Sequence, residues 1–575
     1  MTPDALGFAL APQHLVVLPV LLPLATAAVM LLAGTRRRGA QALLNLASTS
    51  VNLVVALLLL AQVAAVAQAG TAAGAADPAQ AGAAGALAVY LPGNWQVPLG
   101  IALVADRLSA LMLVLAGGVA LASLLFAIAR WHLAGVYFHV LFQLQLMGLN
   151  GAFLTGDLFN LFVFFEVLLA ASYGLLLHGG GRQRVRAGLH YVAVNLLASL
   201  LFLIGVAVLY GVAGTLNMAD LALKLREVPA GDRGLLHAGA AILAVAFLAK
   251  AALWPLNFWL PPAYAAASTP VAGLFVILTK VGVYALLRLW TLCFAPGAGE
   301  SALFGSAALV WGGLVTLAFG SVAMLASQHL ARLAGYSVIT SSGTLIAALG
   351  FNEPALSGGA LYYMASSTLA GCALFLLVEL LERARRMEVD TPRLDDPRRV
   401  LPTFTDAEQR PPVGVNLDDE EQVLIGRAIP AALAFLGVGF TLCALVIAGL
   451  PPLSGFVGKV AMLSTLLYVQ GWAAWTLFAL LILSGLAAAT ALLRVGMRCF
   501  WTLQGEPARL RVVETLPVGL LLAACALLVV RGEDALRYTR ATAEALHRPG
   551  PYMDAVLRAQ PVPPPSPAAA GETAP

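Results

Sequence analysis

The chain has 575 residues, 60% of them hydrophobic and only 11% charged, with a formal net charge of +4. Mean hydropathy is +0.87. This composition excludes a water-soluble globular domain, and the charge is too dilute for nucleic acid to be a partner, so the expected fold is an all-α polytopic membrane protein.

Apolar runs of roughly 20 residues recur, whereas an outer-membrane barrel would show short alternating segments. About 14 transmembrane helices are expected, near 14–33, 41–67, 107–129, 137–154, 157–178, 188–212, 235–260, 269–294, 302–327, 335–350, 355–381, 428–470, 474–500 and 513–530. The N-terminus lacks a basic stretch and a clear cleavage site, so the first run is expected to stay as a span. Arginines gather in every second connection, from Arg36-Arg37-Arg38 through Arg130, Arg182/Arg184/Arg186 and Arg332 to the 383–427 loop and Arg494 to Arg511. The positive-inside rule puts those connections in the cytoplasm and both termini outside, with one exception: 213–234 carries Lys224, Arg226 and Arg233 on the outer side, balanced by Asp220, Glu227 and Asp232. Residues 68–92 are Ala/Gly-rich and read as an external loop, and 382–427 as a solvated, charged cytoplasmic loop. After Arg531 a short amphipathic piece and a disordered, proline-rich tail are expected.

The first chemistry-bearing position in chain order is Glu166, nine residues past Asp157 and so about 13 Å into its span. A carboxylate there needs a partner or a proton, whereas Asp157 and Asn160 at the span's start are explained by helix capping. Only four of the 33 basic residues are lysines, and three of these, Lys250, Lys280 and Lys459, sit in apolar runs, while Lys224 reads as a loop residue. Arginine keeps its proton at any accessible pH, whereas a desolvated lysine can release one near neutrality. Three lysines and a glutamate left unpaired at mid-bilayer would cost on the order of 10 kcal/mol, so a function is expected of them ahead of snorkelling or structural pairing. Lys250 is the natural partner for Glu166.

Pro255 follows Lys250, and Pro451 and Pro452 precede Lys459, so spans seven and twelve are both expected to break beside a lysine. Matching breaks in two halves point to an internal repeat around a transport path. His329, at a cytoplasmic helix junction, and His139, inside span four, are candidate relays against the commoner structural role. Ser341, Ser342 and Thr344 could hold water in span ten, with bonds to their own backbone as the default. The five cysteines form no CxxC pair and read as core residues. No HExxH, GxSxG, P-loop or Rossmann fingerprint stands in a credible context, so no metal, cofactor or enzymatic chemistry is expected.

Four stretches carry a resemblance to a known family: GNWQVPLGIALVADRLSALMLVL (93–115), TGDLFNLFVFFEVLLAASYGLLLHG (155–179), FLAKAALWPLNFWLPPAYAAASTPVAGLFVILTKVGVYALLRL (247–289) and GLPPLSGFVGKVAML (449–463). They resemble the D-type subunit of the multisubunit Mrp/Mnh/Pha-type monovalent cation/proton antiporter, which is related to the antiporter-like membrane subunits of respiratory complex I. The resemblance implies a multi-pass protein of the bacterial plasma membrane that exchanges protons for Na⁺ or K⁺. Its partners would be subunits of the A/B, C, E, F and G types. It also implies two inverted five-helix repeats, here 137–295 and 296–500, after three helices in 1–136 and before a last helix and tail in 501–575.

Glu166, Lys250, Lys280 and Lys459 match the family's charged proton-path positions. YYMASSTLAGCALFLLVEL (362–380) looks like the Pha-type branch. There Ser367, Thr368 and Gly371 replace the His and Lys that many relatives carry in span eleven. Bound water or His329 is then expected to serve between Lys280 and Lys459. The other reading, a proton-pumping subunit of a complex I-like or membrane-bound hydrogenase assembly, shares all these residues. A non-transporting scaffold fits three buried lysines poorly, and a stand-alone carrier would have to work when expressed by itself.

Overall fold

The computed structural model describes residues 12–34, 37–72, 87–390, 431–500 and 510–562. Most of the expected 382–427 loop, part of the outer loop and the proline-rich end of the tail lie outside the described residues.

The described chain is nearly all helix, in the order α1 (Leu18–Leu32), α2 (Arg38–Ala72), α3 (Arg107–Ala129), α4 (Phe138–Leu154), α5 (Leu158–Leu176), α6 (Arg182–Ala213) and α7 (Met218–Lys224). Next come α8 (Ala230–Lys250), α9 (Leu260–Ala266), α10 (Thr269–Cys293), α11 (Ser306–Ala326), α12 (Leu330–Gly350) and α13 (Pro354–Asp390). After the undescribed loop follow α14 (Ala431–Ala448), α15 (Ser454–Leu466), α16 (Trp472–Phe500), α17 (Val512–Val530), α18 (Gly532–Leu546) and α19 (Gly550–Leu557). Among the described residues twelve helices are long and apolar enough to cross a membrane, and the shorter apolar α1 and α4 lie where spans one and four are expected. One small departure from helix is a ribbon, β1 (Ala88–Tyr90) antiparallel to β2 (Leu103–Ala105), with Val89 opposite Val104.

Local chemistry sets several helix starts. The Asp106 carboxylate accepts the Ser109 amide while the Ser109 hydroxyl accepts the Asp106 amide, a reciprocal cap for α3. Asp157 caps α5 by accepting from Asn160 N at 2.8 Å, as its sequence position suggests. Both expected breaks occur. Span seven is α8 and α9 with residues 251–259 between them, and span twelve is α14 and α15 with 449–453 between them. Lys224 ends a short helix rather than lying in a loop, and pairs with Asp220 at 3.0 Å.

α10 is buried along its whole candidate span and α12 and α13 nearly so, which makes them the centre of the bundle. Side chains on α2, α6, α14 and α17 leave apolar faces outward, as lipid contact requires. Glycines bring α11 and α12 together: a Cβ on Gly313 would strike the Ala347 backbone, and one on Gly343 the Leu317 backbone.

The bundle ends sort by charge. At one end Arg38 donates to Leu133 O (2.8 Å), Arg184 to Ala266 O (2.9 Å) and Arg494 to Ser327 O (3.0 Å). The other end carries α18 and α19, where the amphipathic piece after Arg531 is expected. Tyr538 donates to Arg107 O at 2.8 Å, and Asn94 exchanges two hydrogen bonds with the backbone of Val562 at 2.8 and 2.7 Å.

Candidate functional site

α8 ends on Lys250, so the lysine sits where the last carbonyls of a helix stand unpaired by their own helix. The groups freed by the break find partners. Leu253 N bonds Leu248 O (2.9 Å), the Trp259 indole donates to Ala249 O (3.3 Å), and Trp254 N donates to Thr316 Oγ1 (3.0 Å). Lys250 is buried, and its Nζ lies 4.9 Å from the centre of the Phe165 ring and donates to Ser199 Oγ at 3.4 Å. It forms no ion pair with Glu166. That carboxylate is half-buried on α5, and its Oε1 is buried without a hydrogen-bond partner among the described residues.

Lys280 lies about 17 Å from the start of α10 at 1.5 Å per residue and is 1% exposed. Its Nζ donates to Ser341 Oγ of α12 at 3.1 Å. Two residues on, Gly282 lets α10 rest on the turn after Lys250. A Cβ there would meet Phe247 O at 2.8 Å and Ala251 N at 2.9 Å.

Lys459 is buried on α15, and its Nζ donates to Ala448 O at 2.9 Å. Ala448 is the last residue of α14, so the ammonium reaches back across the break to the carbonyl end of the other half-helix. Gly449 and Gly485 leave the side chain its space; a Cβ on Gly485 would stand 3.2 Å from Nζ.

The two histidines stand away from this row. His139 is inside the helix of span four, as the sequence suggests, but as the second residue of α4 it stands at the arginine-bearing end. Its Nδ1 accepts from Asn45 Nδ2 at 2.9 Å, and its Nε2 is buried without a partner among the described residues. The neighbouring His178 donates from Nε2 to Trp131 O at 2.8 Å. Burial holds its imidazole below the ordinary value, against that bond and with help from Arg184 and Arg38. His329 is exposed at the start of α12, twelve residues and so about 18 Å along the helix from Ser341. It lines a surface cavity of about 860 Å³ with Arg186, His190, Arg332 and Glu382, which places it at a mouth and not between Lys280 and Lys459.

Sequence reading missed a second charged centre. Arg288 of α10 forms a two-bond ion pair with Asp106 (2.7 Å each), buried among Tyr284 and Tyr552. An arginine inside an apolar run was the available signal. Glu514, paired with Arg383 at 2.7 and 2.9 Å, was missed in the same way. Among the described residues no group of three His, Cys, Asp or Glu could hold a metal ion.

Comparison with known proteins places this geometry in context. Residues 155–400 match the family described as NADH:quinone oxidoreductase/Mrp antiporter, TM. The D-type subunit of a probable K(+)/H(+) antiporter from Rhizobium meliloti (strain 1021) is 51% identical over 556 residues, covering 95% of this chain and 98% of that protein. The D-type subunit of the Na(+)/H(+) antiporter from Alkalihalophilus pseudofirmus is 34% identical over 475 residues, covering 81% and 87% respectively. A chain in the structure of the Mrp complex from Dietzia sp. DQ12-45-1b shares the fold, with a TM-score of 0.76 at 24% identity over 95% of this chain and 99% of that one.

Proposed function

The chain belongs to the family of D-type subunits of multisubunit monovalent cation/proton antiporters, and from that premise we propose that Glu166, Lys250, Lys280 and Lys459 carry its proton. It is a proton-translocating transporter subunit that works in the bacterial plasma membrane beside the other subunits of an Na⁺ or K⁺/proton antiporter. High identity to such an antiporter subunit over nearly the whole chain favours this over the redox-driven alternative.

One observation carries the route. Each buried lysine is held by an uncharged oxygen: Lys250 by Ser199 Oγ, Lys280 by Ser341 Oγ and Lys459 by Ala448 O. Lys224, the one partly exposed lysine, is the one with a carboxylate partner. A carboxylate in contact favours the ammonium form, whereas a hydroxyl or carbonyl supports it without locking it. Glu166 would then act as an adjustable counter-charge, holding the proton on Lys250 when close and releasing it to Lys280 when apart. Lys459 would exchange the proton with the far side. The broken fourth span in each half, with a lysine beside each break, supports reading α4–α10 and α11–α16 as two inverted repeats.

The test is cation-driven proton flux in membrane vesicles, with assembly followed on native gels. Alanine at Lys250, Lys280 or Lys459 should each abolish flux in an assembled complex. Wild-type flux from any one of them would remove that residue from the route.

A further inference from the structure

The proposed route from Lys280 to Lys459 crosses α13, where the hydroxyls of Tyr363, Ser366 and Ser367 face the gap and Tyr363 also bonds Ser341. Ser341 Oγ of α12 receives the Lys280 ammonium at 3.1 Å and lies 2.9 Å from Ser367 Oγ of α13. The adjacent Ser366 Oγ lies 2.7 Å from Ser454 Oγ, the first residue of α15, five positions before Lys459. Ser366 and Ser454 are fully buried and Ser341 is 3% exposed.

Consecutive residues stand about 100° apart around a helix, so α13 turns one hydroxyl toward Lys280 and the next toward the broken helix of Lys459. Helical serines and threonines ordinarily bond their own backbone, as Thr344 does to Thr340 O (3.0 Å) and Thr368 to Met364 O (2.6 Å). Ser341, Ser366 and Ser454 instead bond between helices, and Ser367 does both, its hydroxyl also donating to Met364 O at a longer 3.3 Å. Both pairs have the 2.5–3.0 Å separations of good O–H···O bonds, over which roughly one proton hop is possible.

We infer that the Ser341–Ser367 and Ser366–Ser454 hydroxyl pairs form the proton relay between Lys280 and Lys459, with water joining one pair to the other around α13. This rests on the lysine route proposed above and supplies its missing section. In the transfer an N–H bond of the Lys280 ammonium breaks as Ser341 Oγ takes that proton and gives its own to Ser367. Ser367 passes its proton to water, and the water protonates Ser366 as Ser366 gives up its proton to Ser454. A second water carries the proton released by Ser454 to the neutral Lys459 amine. Each hydroxyl ends with one proton, as it began, Lys280 is left neutral and Lys459 charged. Rotation of the hydroxyls resets the chain.

The experiment compares Ser341→Ala/Ser367→Ala, Ser366→Ala/Ser454→Ala, the matching threonine pairs and Lys280→Ala, in the whole complex in vesicles. Assembly is checked on native gels and flux is scored per assembled complex. The expected result is a loss of about tenfold or more in each alanine pair, a scale set by losing a positioned proton-transfer group. The threonine pairs, which keep the hydroxyl, should retain most of the flux. Wild-type flux in the alanine pairs with a dead Lys280→Ala would overturn the hydroxyl relay and leave the lysine route standing. Wild-type flux in Lys280→Ala would overturn the lysine route itself. Equal losses in assembled alanine and threonine pairs would show that the serines pack and do not conduct.

Discussion

Lys459 and Ala448 face each other across a break in one span: the ammonium donates to the carbonyl that ends the preceding half-helix, at 2.9 Å. Without the break that carbonyl would be spent inside a continuous helix. Proline there frees the acceptor, and the lysine uses it. Gly485 stands beside both groups, where a Cβ would lie 2.7 Å from Ala448 O and 3.2 Å from Nζ.

Gly485→Ala should therefore drive a methyl group into this contact. A hydrogen bond to a charged group contributes about 1.5–3 kcal/mol, so displacing it should lower flux by about tenfold or more. Assembly on native gels should be unchanged. Wild-type flux would show that the Lys459–Ala448 contact is not used in turnover.

Lys250→Arg should abolish cation-driven proton flux nearly as fully as Lys250→Ala. Arginine keeps the positive charge at the end of α8 but holds its proton too tightly to pass it on, with an unperturbed pKa of roughly 12.5–13.8 against about 10.4. Near-normal flux in vesicles from the arginine variant would make Lys250 a fixed charge.

Asp106→Asn should impair assembly more than transport chemistry. It leaves the Arg288 guanidinium buried without its carboxylate, a change that costs about 3–5 kcal/mol when a buried pair loses one partner. Thermal stability in detergent should fall and the yield of assembled complex with it. A protein as stable as the parent would show that Tyr284 and Tyr552 suffice to hold the cation.

Cysteine labelling checks the sidedness. The five native cysteines are buried, so background should be low. An impermeant thiol reagent added from outside should reach Leu99→Cys, where the side chain is 89% exposed, and miss Gln328→Cys at the arginine-bearing end. The reverse pattern would invert every direction assigned to the proton.

What could be read from the chain follows from what is locally expensive. Lysines in apolar runs and prolines beside them are costly wherever the helices go, so Lys250, Lys280, Lys459 and both breaks were legible before any packing was known. Contacts between helices depend on rotation about each axis, which composition does not set. Thus the sequence pairs Glu166 with Lys250, and the carboxylate does act on the lysine through space, but it makes no direct contact and the ammonium bonds Ser199. Ser366 and Ser454 are ordinary residues in helical stretches, and only the approach of α13 to α15 turns them into a bonded pair. His329 drew notice by its chemistry, yet it lies exposed on a surface that the pattern of apolar residues could not distinguish from a path. Asp106 and Arg288 are far apart in sequence, and each has an innocent local reading, as a helix cap and as a span-end cation.

The clasp of α18 and α19 over the end of α3 and α10 carries a consequence for biosynthesis. Tyr552 supplies one wall around Arg288, and Tyr538 bonds the backbone of Arg107, the residue after Asp106. Both come from the closing stretch of the described chain. The buried ion pair between α3 and α10 is thus made early by the ribosome and enclosed late. Until residues 532–562 have been translated and folded onto this end of the bundle, the pair lacks its cover, and a nascent or truncated chain presents an unfinished surface that a membrane protease could recognise.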